Sequence, residues 1–220
     1  MFLTYIRYFL YLAWNWNIRI AFFVLYHEIH GERKYGLKTI GIDHLENVET
    51  EDIEHASIYQ PINYFTAEKL FDRVSLEQKQ GTFLDLGCGK GRALGIAANY
   101  GFKNIIGVDF SESLCKNAEA TAAIVQQKFR DVAINIICAN AAFYKIPDHV
   151  NTIFLFNPFD EFIMQDVLRN IEESLYEKPR LLTILYANPV LKSLFLEAGF
   201  TETFYFKKLT YLEGAVLQKV

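Results

Sequence analysis

Residues 83–94 read FLDLGCGKGRAL. Three glycines, an aspartate and a cysteine stand between two apolar runs. The run Thr82–Leu86 has the composition of a buried strand, and Arg92–Tyr100 carries the apolar spacing of a helix. Glycine accepts positive φ and leaves no Cβ in the way of an approaching group. Gly87, Gly89 and Gly91 therefore mark a strand–loop–helix junction against which something lies close to the main chain. The helix start beyond offers free N–H groups to an anionic or carboxylate-bearing ligand.

The same alternation continues outward from this junction. Strands are expected at Thr82–Leu86, Asn104–Asp109, Ala133–Cys138, Thr152–Phe156 and Leu181–Tyr186, with helices at Arg92–Tyr100, Glu112–Arg130, Glu161–Tyr176 and Pro189–Ala198. Strand and helix in turn is the signature of βαβ units and a parallel sheet. After Gly199 two strand-like runs, Thr201–Lys207 and Ala215–Val220, follow with no helix between them, so they pair antiparallel. The expected fold is α/β: a Rossmann-like seven-stranded sheet, mostly parallel with one antiparallel strand. Residues 1–80 read as an N-terminal helical cap and lid segment, with an irregular stretch at Gly36–Gln60, and residues 81–220 as the ligand-binding catalytic domain.

The loop spacing is G-x-G-x-G rather than the G-x-G-x-x-G of dinucleotide-binding turns. Asp85, two residues before Gly87, argues the same way. A carboxylate repels a pyrophosphate but attracts the ammonium of an amino-acid-like ligand. Asp109 ends the next strand, where it can accept hydrogen bonds from ribose hydroxyls. A nucleoside carrying an amino-acid tail satisfies both, and S-adenosyl-L-methionine has that description.

DLGCGKGRA and the later GVDFS closely resemble the first two motifs of the class I S-adenosylmethionine-dependent methyltransferases. RKYGLKTIG, IYQPINY, FNPFDE and LYANP resemble a bacterial branch of that superfamily, distantly similar to the non-SET histone-lysine methyltransferases. The resemblance implies methyl transfer, with Asp85, Gly87, Cys88, Gly89 and Gly91 around the methionine end of the cofactor. Asp109 would then hold the ribose, and Phe110 and Ser111 would flank the adenine. Asn140 occupies the place of an aspartate that bonds the adenine amino group, a contact its carbonyl oxygen can also make. Tyr59 would close over the cofactor as part of a lid.

Asn157-Pro158-Phe159 resembles, one proline short, the (Asn/Asp)-Pro-Pro-(Tyr/Phe) motif of amino-methylating enzymes. By that resemblance its oxygens accept hydrogen bonds from a planar nitrogen and its ring packs on it. A nitrogen nucleophile on a small molecule or protein side chain is the implied acceptor. An oxygen-directed methyltransferase, or a cofactor-binding protein without turnover, are the alternatives. Asn157-Pro158 also reads as an ordinary strand-ending turn, and Tyr59 and Cys88 as packing residues.

The bulk of the 220-residue chain is 51% hydrophobic with a net charge of −4, which argues against broad nucleic-acid binding. Cys88, Cys115 and Cys138 are odd in number and widely spaced, as expected in a reducing, cytoplasmic setting. No CxxC pair is present to seat a structural zinc, and no metal is expected. His27 and His30 read as solvated or capping, Lys90 and Arg92 as partly exposed, and the acidic run at 46–54 as a solvated loop.

The N-terminal 26 residues are nearly all apolar or aromatic, interrupted by Arg7 and Arg19. The charge-free run between them is too short to span a bilayer. Such a segment has to bury most of its surface, by docking on its own domain or a homodimer partner, or by lying at a membrane surface as a peripheral contact.

Overall fold

The structure is a computed structural model, and it describes residues 2–40, 60–156 and 159–220. Seven strands form one sheet: β1 (Thr82–Leu86), β2 (Asn104–Asp109), β3 (Ala133–Cys138), β4 (Val150–Phe156), β5 (Leu182–Ala187), β6 (Thr201–Lys208) and β7 (Leu212–Lys219). Their order across the sheet is β3-β2-β1-β4-β5-β7-β6. Strands β1 to β5 pair in parallel, and β7 runs antiparallel to both β5 and β6. The expected seven-stranded sheet with one reversed strand is the one observed.

The central strands β1, β4 and β5 are buried on both faces, so they read as continuous apolar runs, while the edge strands β3 and β6 are more exposed. Alternation divides them between two cores. Phe83, Phe154, Leu185 and Val216 enter one; Leu84, Leu155, Ile184 and Leu217 enter the other. Asp85 shares the face of Phe83, two residues on. Crossovers are made by α4 (Arg92–Tyr100), α5 (Glu112–Lys128), α6 (Glu161–Glu177) and the short α7 (Lys192–Glu197).

Element ends differ from expectation where turn chemistry decides them. The last crossover helix is shorter than Pro189–Ala198 because Asn188 takes positive φ and its N–H bonds to the Glu213 carbonyl, which delays the helix. Strand β7 begins at Leu212, ahead of Ala215, because the hairpin closes through Leu209 and Thr210 at φ 50° and 69°.

Ahead of the sheet lie α1 (Phe2–Asn15), α2 (Ile18–Tyr35) and α3 (Tyr64–Phe71). The first two form a hairpin. Asn17 caps α2 by accepting from the Ile20 N–H at 3.0 Å, and Gly36 ends it in the left-handed region at φ 74°. The buried stripe of α2 runs Ala21, Val24, Glu28, Gly31, Tyr35, one residue per helical turn. Tyr8 and Leu12 of α1 join Ile20, Ala21, Val24 and Leu212 in a third core, so the hairpin docks on its own sheet. Helix α3 is capped by Asn63 and sets Leu70 and Phe71 into the sheet's first core. No helix among the described residues is long and apolar enough to cross a membrane.

Candidate functional site

The loop after β1 is held by its own backbone. The N–H groups of Gly87 and Cys88 both donate to the Val108 carbonyl, at 2.8 and 2.9 Å, and that of Gly91 donates to Cys88. Gly87, Gly89 and Gly91 stand at φ 81°, 53° and 80°. A side chain at each would be strained, which is why three glycines alternate here. Gly91 then starts α4, leaving the N–H groups of its first turn aimed at the loop.

Two carboxylates flank this turn at the ends of adjacent strands. The Asp109 oxygens accept from the Gly89 N–H at 2.8 Å and the Ser111 N–H at 3.0 Å, so the residue joins the glycine loop to the start of α5. Burial pushes its carboxyl upward, against the opposing pull of the Ser111, Gly89 and Phe110 amides. Asp85 is buried more deeply, and no donor among the described residues reaches its carboxylate. Burial first, and the charge of Asp109 second, hold it well above the usual carboxylate range. A buried carboxylate without a partner is a costly group, and a bound cation would relieve it.

The other candidates fall around the same strand ends. Cys88 is buried, its sulfur filling the space left by Gly107: a Cβ there would stand 3.0 Å from that sulfur and 2.8 Å from Leu94. Burial and the two aspartates push the Cys88 thiol upward, which keeps it protonated and inert at neutral pH. Ser111 is buried and its hydroxyl accepts from Leu114 N–H to cap α5; Phe110 is half-buried. The Asn140 carbonyl oxygen, expected to meet an adenine amino group, accepts from Ala142 N–H at 2.8 Å and caps a short 3₁₀ turn. Its second lone pair remains for another donor. Phe159 packs against the second core ahead of α6, which Asp160 caps through Ile163 N–H. Tyr59, Asn157, Pro158 and the acidic run at 46–54 lie outside the described residues.

Arg92 departs from its expected exposure. It is buried, its Nη1 2.8 Å from a Glu28 oxygen and 2.6 Å from the Ile62 carbonyl, its Nε 2.7 Å from the Thr39 hydroxyl. Its guanidinium also lies over the Tyr64 ring, 4.3 Å from the centroid, and that ring stacks on Tyr35. Lys90, by contrast, is partly exposed. One side chain at the first turn of α4 thus gathers α2, the segment before α3, and the glycine loop. The sequence carried a signal for it: Arg92 opens the otherwise uncharged run RALGIAANY, and Glu28 falls on the buried stripe of α2. A lone charge on a buried helix face calls for a buried partner.

His27 sits among Phe23, Tyr26 and Phe65, and burial lowers its pKa. No cluster of three metal-ligating side chains occurs among the described residues.

Residues 83–178 match the family model described as a methyltransferase domain. Among curated proteins none matches the chain by sequence. Its fold is shared with an S-adenosylmethionine-dependent methyltransferase from Aquifex aeolicus, at 16% identity over 70% of this chain and 89% of that one, with a TM-score of 0.52. A ribosomal protein L11 methylase from Lactobacillus delbrueckii superposes with a TM-score of 0.54 at 19% identity, covering 69% of this chain and 75% of that one. Magnesium protoporphyrin IX methyltransferase from Synechocystis, solved with S-adenosylmethionine bound, gives 0.51 at 15% identity over 70% and 77%. Residues 83–178 thus match a methyltransferase domain, and the chain has the Rossmann-like seven-stranded methyltransferase fold.

Proposed function

We propose that this protein transfers a methyl group from S-adenosylmethionine to a nitrogen nucleophile on a small molecule or a protein side chain. The observation that carries the reading is Asp85: a buried carboxylate, without a partner among the described residues, at the strand end that leads into a loop of positive-φ glycines. It fits the ammonium of the methionine moiety, and it would repel a pyrophosphate. Asp109, already fixed by the Gly89 and Ser111 amides, keeps lone pairs for ribose hydroxyls. Phe110, Ser111 and Asn140 stand at the neighbouring strand ends for the adenine, and Tyr59 belongs to the closing segment.

The cofactor supplies an already activated methyl group, so the protein has to align the acceptor and exclude water. Asn157 and Pro158 would orient the acceptor through their oxygens, and Phe159 would pack its ring against it. The likeness of FNPFDE and LYANP to the bacterial branch related to non-SET histone-lysine methyltransferases supports this assignment. In the same reading residues 1–80 form the cap and lid, and residues 81–220 the catalytic domain. Three free thiols support a reducing, cytoplasmic setting.

The test is transfer of labelled methyl from S-adenosylmethionine into small-molecule and protein fractions, comparing wild type with Asn157→Ala. The expected product is alkali-stable, as N-methyl groups are, and falls about 100-fold in the variant through lost alignment. An alkali-labile product would assign the acceptor to carboxylate oxygen. Binding of cofactor without any transfer would leave a cofactor-binding protein.

A further inference from the structure

The docked hairpin has one side left over. Tyr8 and Leu12 of α1, and Ile20, Ala21 and Val24 of α2, face the sheet. The opposite side should be polar in a surface helix. Instead it presents Leu3 (67% exposed), Leu10 (60%), Trp14 (91%), Ile18 (58%), Phe22 (60%) and Tyr26 (65%). The spacing Leu3-Leu10-Trp14 and Ile18-Phe22-Tyr26 keeps each set on a single face of its helix. Large apolar side chains gathered on one face mark an interaction surface.

Charge identifies the occupant. Residues 1–27 hold Arg7 and Arg19 and no aspartate or glutamate, and both arginines are exposed with the apolar set. A two-fold contact between copies would bury the same patch on each side, pressing those arginines against a surface without a carboxylate. A lipid surface accepts them: arginine stems lie along the apolar layer while the heads reach phosphate groups. Trp and Tyr are the side chains enriched at that boundary.

We propose that the outer face of the α1–α2 hairpin lies in the headgroup region of an anionic membrane, making this a peripheral membrane protein. The attachment is independent of the methyltransferase reading. It does, however, reach the candidate site, since α2 carries Glu28 to Arg92.

The test is flotation of the full-length protein with vesicles of phosphatidylcholine alone, and of two parts phosphatidylcholine to one part phosphatidylglycerol. Binding to the anionic vesicles, weakened by high salt and reduced about tenfold in Trp14→Glu/Phe22→Glu, supports the proposal. Arg7→Gln/Arg19→Gln should retain the fold and lose the preference for anionic lipid. Unchanged circular dichroism and S-adenosylhomocysteine titration in these variants separate lost docking from misfolding and from failure of the cofactor reading. Absence of flotation, or flotation indifferent to Trp14 and Phe22, overturns it. So does a lipid-free dimer that Trp14→Glu/Phe22→Glu dissolves while vesicles bind nothing, which would give the face to a second copy.

Discussion

A Glu28 carboxylate oxygen lies 2.8 Å from Arg92 Nη1, and neither side chain is more than 3% exposed. The pair ties the second N-terminal helix to the first turn after the glycine loop. Burial raises the Glu28 carboxyl even against the attraction of Arg92, so the two charges depend on each other. Removing one partner strands the other. Glu28→Ala should cost about 3–5 kcal/mol of stability, and the double variant Glu28→Leu/Arg92→Met should recover most of it. Urea unfolding of the three proteins checks this. A double variant as unstable as the single one would mean that Arg92 is held by Thr39 and Ile62 rather than by Glu28.

Gly31 faces the same junction from α2. A Cβ there would stand 2.1 Å from Cγ of Tyr64, the ring under Arg92. Ala for Gly inside a helix ordinarily gains roughly 0.5–1 kcal/mol. Here the sign should reverse, with Gly31→Ala losing about 1–3 kcal/mol through overpacking. A stabilised variant in thermal unfolding would show that the ring moves aside freely.

The sheet was legible because short apolar, β-rich runs alternating with helical crossovers leave a strong imprint on β1 to β5, and the glycine loop because positive φ restricts the residue. Asp85 and Asp109 stood out as carboxylates at apolar strand ends. Arg92 did not, because a charge beside a loop reads as solvent-facing until its partner, 64 residues earlier in the chain, is brought to it by the fold. Asn140 follows the third strand as expected, yet its hydrogen bond with Ala142 belongs to a local turn that no pattern announces. Likewise, the apolar N-terminus showed how much surface needed cover, and only the packed hairpin showed which face stays bare.

Asp85 should govern how stability depends on pH without cofactor. Its folded-state pKa lies above the ordinary 3.8, so the folded protein holds a proton that the unfolded chain releases across that window. The associated stability is fully present below the unfolded value and is lost as pH rises through the folded one. Asp85→Asn removes that loss. The variant should exceed wild type by about 1–3 kcal/mol at roughly pH 8, the scale of an unsatisfied buried charge, and converge with it near pH 4. Denaturant unfolding across that range checks it. Parallel pH profiles would mean that Asp85 has a partner in the folded chain.

Asp109 acts through both of its oxygens. Asp109→Ala frees the Gly89 and Ser111 amides and removes the ribose acceptor, so S-adenosylhomocysteine affinity should fall by roughly 1–3 kcal/mol. Normal binding by this variant would misplace the ribose.

Calorimetric titration of the wild-type protein with S-adenosylhomocysteine, with NADH as the control and Asp85→Asn alongside, tests the central claim most directly. Saturable binding of S-adenosylhomocysteine alone, strongly weakened in the variant, is the predicted result. Binding of NADH, or S-adenosylhomocysteine affinity indifferent to Asp85, would contradict it.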